Sequence, residues 1–241
     1  MPLIAAFAVA AGAALQSATG FGFALIAAPL VFATVQPAEA VGLMIVLSSE
    51  INLLTLLGEN RRPQPVWREC VMIVAFALPG AVAGVAVLRA LDPVALQVAV
   101  SIGVLATLAA RHLSSTRRLP GWGAPVVGVV AGGLTTSTTT NGPPMLVYLL
   151  GRALTPLQLR DSMPVCFLGL NVIGVIALLV TGTNGAVPDG LLVAILVPIV
   201  ALGQIAGRPL FGALARSRSF EPVVTGVLLV SVVAGLATAI F

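Results

Sequence analysis

The sequence predicts an all-α integral membrane protein built from two inverted-topology repeats, each a broken-helix hairpin followed by three transmembrane helices. Three observations predict it. Hydrophobic residues make up 59% of the 241 positions, charged residues 8%, and the mean hydropathy is +1.10. A soluble domain carries about a quarter charged residues, so this much apolar surface belongs in lipid. The chain is also written twice. At an offset of 119, Leu15-Gln16-Ser17 falls on Leu134-Thr135-Thr136, Pro37 on Pro156, Val46 on Val165 and Asn52 on Asn171. At 123, Gly80 and Gly84 fall on Gly203 and Gly207; at 129, Asp92-Pro93 falls on Glu221-Pro222. Finally, the loop charges reverse between copies. The loop at 59–68 holds Arg61, Arg62 and Arg68, while its counterpart at 182–190 holds no cation. The link at 89–92 holds one arginine and its counterpart at 208–221 holds three. Repeated sequence with reversed loop charge marks an inverted repeat. Residues 1–120 form the first membrane repeat and 121–241 the second, within one membrane domain.

Punctuation by Gly, Pro, Arg and Asn divides the chain into ten apolar segments. In the first repeat they run over 2–19, 22–35, 38–58, 68–88 and 93–110. In the second they run over 122–137, 142–151, 157–181, 189–207 and 221–241. A full crossing needs about 20 apolar residues, and the first two segments of each repeat are short for that. Each such pair is joined by a tight break, Gly20-Phe21-Gly22 or Thr138-Thr139-Thr140-Asn141-Gly142-Pro143-Pro144. We read each pair as a hairpin that enters the membrane and returns to the same side. Ten full crossings would give the same sidedness for every loop from 59 onward. The apolar start at 1–19 lacks the basic flank of a signal peptide and belongs to the repeat.

If the first hairpin opens outward, the cytoplasmic loops are 59–68, 111–121, 151–161 and 207–221. These hold 11 of the 12 arginines, leaving only Arg89 outside. That is the bias of the positive-inside rule. The arrangement puts both termini outside a bacterial inner membrane crossed many times. Because the cations sit in interhelical loops, membrane lipid accounts for the net charge of +4, and no nucleic-acid partner is expected.

Chemistry is expected at the breaks. A helix that starts inside the bilayer aims unpartnered N–H groups and a positive dipole end at the membrane centre. Such half-helix N-termini bind anions without a buried cation. Gly20, Phe21 and Gly22 form the first break, with Gln16 and Ser17 just before it. Thr139, Thr140, Asn141 and Gly142 form the second, and Pro143 and Pro144 suit a first helical turn. The alternative is a pair of packing kinks whose threonines bond back to their own helices. Asn52 and Asn171 lie mid-helix at one repeat position, as substrate ligands or as an interhelical clamp. Glu50 is the carboxylate placed deep in a span and breaks the symmetry, since its repeat mate is Gly169. It is a proton-coupling candidate, or a neutral acid bonded near Ser48, Ser49 or Arg89. Gln204 lies inside a span, lining a path or bonding across helices. The spacings Gly80-x-x-x-Gly84 and Gly203-x-x-x-Gly207 suit close helix packing, within the chain or in a homodimer. His112, among loop arginines, is read as interfacial.

Enzyme and cofactor signatures are missing from the sequence. One histidine cannot build a His-x-x-x-His zinc helix, and a chain without lysine has no phosphate loop of the Gly-Lys type. No metal and no cofactor is expected. Cys70 and Cys166 fall in or beside helices, which argues against a disulfide framework.

Two stretches carry a resemblance: Gln16-Ser17-Ala18-Thr19-Gly20-Phe21-Gly22 with Pro29 following, and Asn141-Gly142-Pro143-Pro144-Met145-Leu146-Val147-Tyr148-Leu149. On these residues, its size and its duplication, the chain resembles the sulfite exporter TauE/SafE family, also called the toluene-sulfonate uptake permeases. The resemblance covers essentially the whole chain. It implies a secondary carrier of sulfite, sulfoacetate or related organosulfonates, often acting in export. The expectation is therefore a small sulfur anion held between the two hairpin tips. The rivals are an anion channel, a proton-coupled carrier using Glu50, a cation carrier, and a membrane scaffold without flux.

Overall fold

A computed structural model describes residues 2–58, 61–92, 94–96, 98–99, 102, 123–152, 154–183 and 185–214. Among these residues the structure is entirely helical, with no strand. The predicted segments 93–110 and 221–241, the loop at 111–121 with His112, and residues 215–221 lie largely or wholly outside the described residues.

The first broken pair is α1 (Pro2–Thr19) and α2 (Phe23–Phe32), interrupted where expected. Then α3 spans Pro37–Leu57, with Pro37 in its first turn. The second broken pair is α6 (Gly123–Ser137) and α7 (Gly142–Leu150). It is followed by α8 (Pro156–Val180), which opens on a capping box between Thr155 and Gln158. Among the described residues, α3, α8 and the helical stretch Gly190–Gly207 are long and apolar enough to cross a membrane.

Two segments differ from expectation. The predicted single segment 68–88 is two helices, α4 (Trp67–Ala75) and α5 (Ala77–Ala90), bent by 46° at Phe76. Pro79 explains the bend: it has no N–H for the Ala75 carbonyl, and its ring crowds that carbonyl four residues back. Counted together, this pair makes a fourth candidate span. The second difference is in α9, which runs Gly190–Leu214, past the end expected at 207.

The packing is reciprocal between the two halves. A methyl group on Gly80 would overlap the Val129 carbonyl oxygen, and one on Gly84 would overlap Gly133. In the other half, Gly203 meets the Ala10 carbonyl oxygen and Gly207 meets that of Ala14. Val129 and Gly133 are the positions 119 residues after Ala10 and Ala14. So α5 of the first half packs on α6 of the second, and α9 of the second packs on α1 of the first. All four glycines of the two spacings are consumed inside the chain.

Different bonds tie the two ends of the bundle. At the start of α8, Arg61 grips Asp161 through two bonds of 2.7 Å, and the Gln64 N–H donates to the same carboxylate. At that end too, Tyr148 and Arg152 donate to Glu69 at 2.6 and 2.8 Å. At the other end of α8, about 30 Å away by helical rise, Arg89 donates to the Thr181 carbonyl and the Thr183 hydroxyl. There the Asp189 N–H donates to Glu39. Cys70 and Cys166 are buried free thiols.

Candidate functional site

The two breaks meet. Gln16, Phe21 and Gly22 from the first and Thr140, Asn141 and Gly142 from the second line one cavity, closed over by Phe23, Ser48 and Phe167. Its volume is ≈ 20 Å³, room for about one water molecule. Neither helix N-terminus at this cavity has a side-chain cap of the usual kind.

The first break is made by backbone geometry. Gly20 and Gly22 have φ of 80° and 108°, a left-handed region open to glycine at little cost. Gly20 closes α1, its N–H donating to the Gln16 carbonyl at 2.7 Å, and Gly22 precedes α2, which begins one residue later than expected. A Cβ at Gly20 would lie 3.1 Å from the Arg160 Cγ, close enough that the arginine would have to shift by a few tenths of an ångström. Gln16 turns its amide into the gap. Its Oε1 accepts the Phe23 N–H at 3.2 Å, satisfying one free donor of α2, while its Nε2 donates to Asn52 Oδ1 at 2.7 Å.

The second break spends a non-glycine residue on the left-handed region, Thr139 at φ 58°. This costs of order 1 kcal/mol or more and persists only where the surroundings hold it. The Thr139 hydroxyl oxygen is buried with no hydrogen-bond partner among the described residues. Thr138 and Thr140 share a hydrogen bond of 2.8 Å, and Asn141 Nδ2 donates to Thr135 Oγ1 at 2.8 Å. Pro143 and Pro144 carry no N–H, so Gly142 supplies the amide donor at the start of α7.

Behind the cavity runs a chain of amides and hydroxyls. Asn52 Nδ2 donates to Ser48 Oγ at 3.2 Å. Asn171 Nδ2 lies 3.3 Å from the same hydroxyl and 2.9 Å from Ser49 Oγ. The repeat-matched asparagines thus converge on Ser48, joining α3 to α8. They support the cavity rather than line it.

The remaining candidates point elsewhere. Ser17 turns away, its hydroxyl donating to the Gln204 carbonyl at 3.0 Å. Glu50 lies on the face of α3 that carries the exposed Val46, Leu53 and Leu57, and it does not line the cavity. Arg89 is engaged with Thr181 and Thr183, not with Glu50. The sequence names Ser48 only as a neighbour of Glu50 and does not single out Phe167; both line the cavity. Ser48 lies four residues before Asn52, one helical turn, which is the signal that could have found it.

The model of the sulfite exporter TauE/SafE family matches residues 4–235, nearly the whole chain. The chain belongs to this family. It is accordingly a multi-pass membrane protein of a transporter family, in keeping with its apolar helices. No match was found among curated proteins or among solved structures. Both stretches that carried the resemblance border the cavity: Gln16 to Gly22 supplies one wall and Asn141-Gly142 the other.

Proposed function

We propose that this protein is a secondary transporter of sulfite, sulfoacetate or a related organosulfonate, binding the anion between the two hairpin breaks and releasing it by alternating access. One observation carries the reading: two interrupted helices bring their N-terminal ends to a single cavity with no cation in its lining. Helix ends that point free N–H groups at one place suit an oxyanion. Gly22 and Gly142 allow close backbone approach, while Thr140, Asn141 and Gln16 add side-chain donors. Asn52 and Asn171 act through Gln16 and Ser48 to position them.

The cavity's size supports a carrier over a channel. A space for one water cannot pass an anion of four or more heavy atoms, so opening requires helices to move. The carboxylate bonds of Asp161 and Glu69 lie at the arginine-rich end, which loop charge assigns to the cytoplasm. They join the 61–66 loop and α4 of the first half to α7 and α8 of the second, and we read them as the closed inner gate. The reciprocal contacts of α5 with α6 and of α9 with α1 support two inverted repeats, 1–120 and 121–241, related by a pseudo-two-fold axis. This reading places the chain in a bacterial inner membrane with both termini outside.

Thermal unfolding of the purified protein with sulfite, sulfoacetate, taurine, sulfate or chloride tests the site. A saturable rise with sulfite or a sulfonate, lost in Asn141→Ala, is expected. No response to any sulfur anion would overturn the reading.

A further inference from the structure

We propose that Ser17, Thr55 and Gln204 form a binding site for an alkali-metal cation outside the lining of the anion cavity. The three residues come from α1, α3 and α9. Ser17 and Gln204 are 5% and 3% exposed, so both are almost wholly enclosed.

The Ser17 hydroxyl donates to the Gln204 carbonyl oxygen at 3.0 Å, and the Thr55 hydroxyl donates to the Ile51 carbonyl at 2.7 Å. Gln204 Nε2 reaches Thr55 Oγ1 at 3.4 Å. With the donors engaged, lone pairs are left. Gln204 Oε1 is buried with no hydrogen-bond partner among the described residues. An amide oxygen left so costs about as much as a lost hydrogen bond, which favours a ligand that brings positive charge. The backbone adds to this. Ser17 stands in the last turn of α1, at the negative end of the helix dipole, where the Gln16 carbonyl is already capped by the Gly20 N–H. A cation at a half-helix C-terminus is the electrostatic counterpart of an anion at a half-helix N-terminus.

The class of cation follows from the donors. All are neutral oxygens, and among the described residues no group of three His, Cys, Asp or Glu side chains could hold a metal. Divalent calcium and magnesium draw on carboxylates, so a neutral oxygen set fits a monovalent ion of the sodium or potassium class. The neighbouring residue Gln16 lines the anion cavity from the same turn of α1. A cation that orders this turn would also order Gln16 and Gly22, so the two sites share an element that both ligands bias.

The test uses the full chain purified in detergent with no sulfur anion present, so it stands or falls apart from the anion reading. Unfolding temperature is compared in the chlorides of sodium, potassium, lithium and choline at matched ionic strength. At least one alkali cation should raise it saturably above choline. Gln204→Leu should raise the half-saturating concentration about tenfold or more, and Gln204→Glu should lower it. Thr55→Val, which removes an oxygen without touching α9, serves if Gln204→Leu does not fold. Equal unfolding in all four salts would overturn the proposal and leave Gln204 Oε1 to a water molecule. So would variants that respond to the cation as the native chain does.

Discussion

Asn141 does two jobs at once. Its side chain donates to Thr135 inside the break, and its residue borders the cavity. Replacing it with alanine removes a buried hydrogen bond worth about 1 kcal/mol. The fold should survive with a slightly lower unfolding temperature, while the response to sulfite or sulfonate is lost. Retention of the anion response would remove Asn141 from the site. Thr139 allows a different check, because its φ of 58° is one that glycine adopts freely. Thr139→Gly should relieve that strain and also delete an unpartnered buried hydroxyl. If the residue is held for function, stability should rise while transport in proteoliposomes falls. Unchanged transport would make the strain a packing accident.

The Gly84 and Gly207 positions admit no side chain because a carbonyl oxygen of the facing helix fills the space. Gly84→Ala should therefore cost about 1–3 kcal/mol, as overpacking does. If the two halves are structural copies, Gly207→Ala should cost a similar amount, read from unfolding in detergent. Strongly unequal costs would weaken the reciprocal reading. The Arg61–Asp161 and Glu69–Tyr148–Arg152 contacts join different elements at one end of the bundle. Asp161→Asn keeps the size but removes the charge that Arg61 grips. It should expose a cysteine placed at Ser48 to a water-soluble thiol reagent added from the cytoplasmic side. A reporter equally protected in native and variant protein would rule out a gate there.

For the molecule as a whole, sidedness is the claim that loop charge and helix direction make together. A single cysteine at Gln64 should react with an impermeant reagent only from the cytoplasm, and one at Thr183 only from outside, in a background lacking Cys70 and Cys166. Labelling of both from one side would undo the topology, and with it the inward placement of the two ion-pair clusters. Much of the architecture was legible because lipid simplifies the rules. A backbone in hydrocarbon must satisfy its own hydrogen bonds, so apolar runs become helices and Gly or Pro clusters become breaks. The boundaries of α1, α3, α6, α7 and α8 lie close to those read from composition for this reason. The bend at Phe76 was written in Pro79, yet hydropathy averages over it and reads one continuous span.

Membrane class, the position of both breaks and the duplication can be read from the chain alone, since each follows from local composition or from comparison of the chain with itself. Which residues share a space was decided only by the tertiary structure. Gln16 and Asn141 lie 125 positions apart and line one cavity. Ser17 points to α9 while its neighbour points to the cavity, and Asn52 and Asn171 meet at Ser48 instead of reaching the cavity. Glu50 stands out in the sequence, yet it stays outside the cavity, half-buried on α3 with its Oε2 buried and unpartnered among the described residues. Helical rotation of about 100° per residue sends adjacent side chains to different surroundings. Which of those surroundings is cavity, partner helix or lipid depends on how the two halves pack, and no local pattern in the chain encodes that.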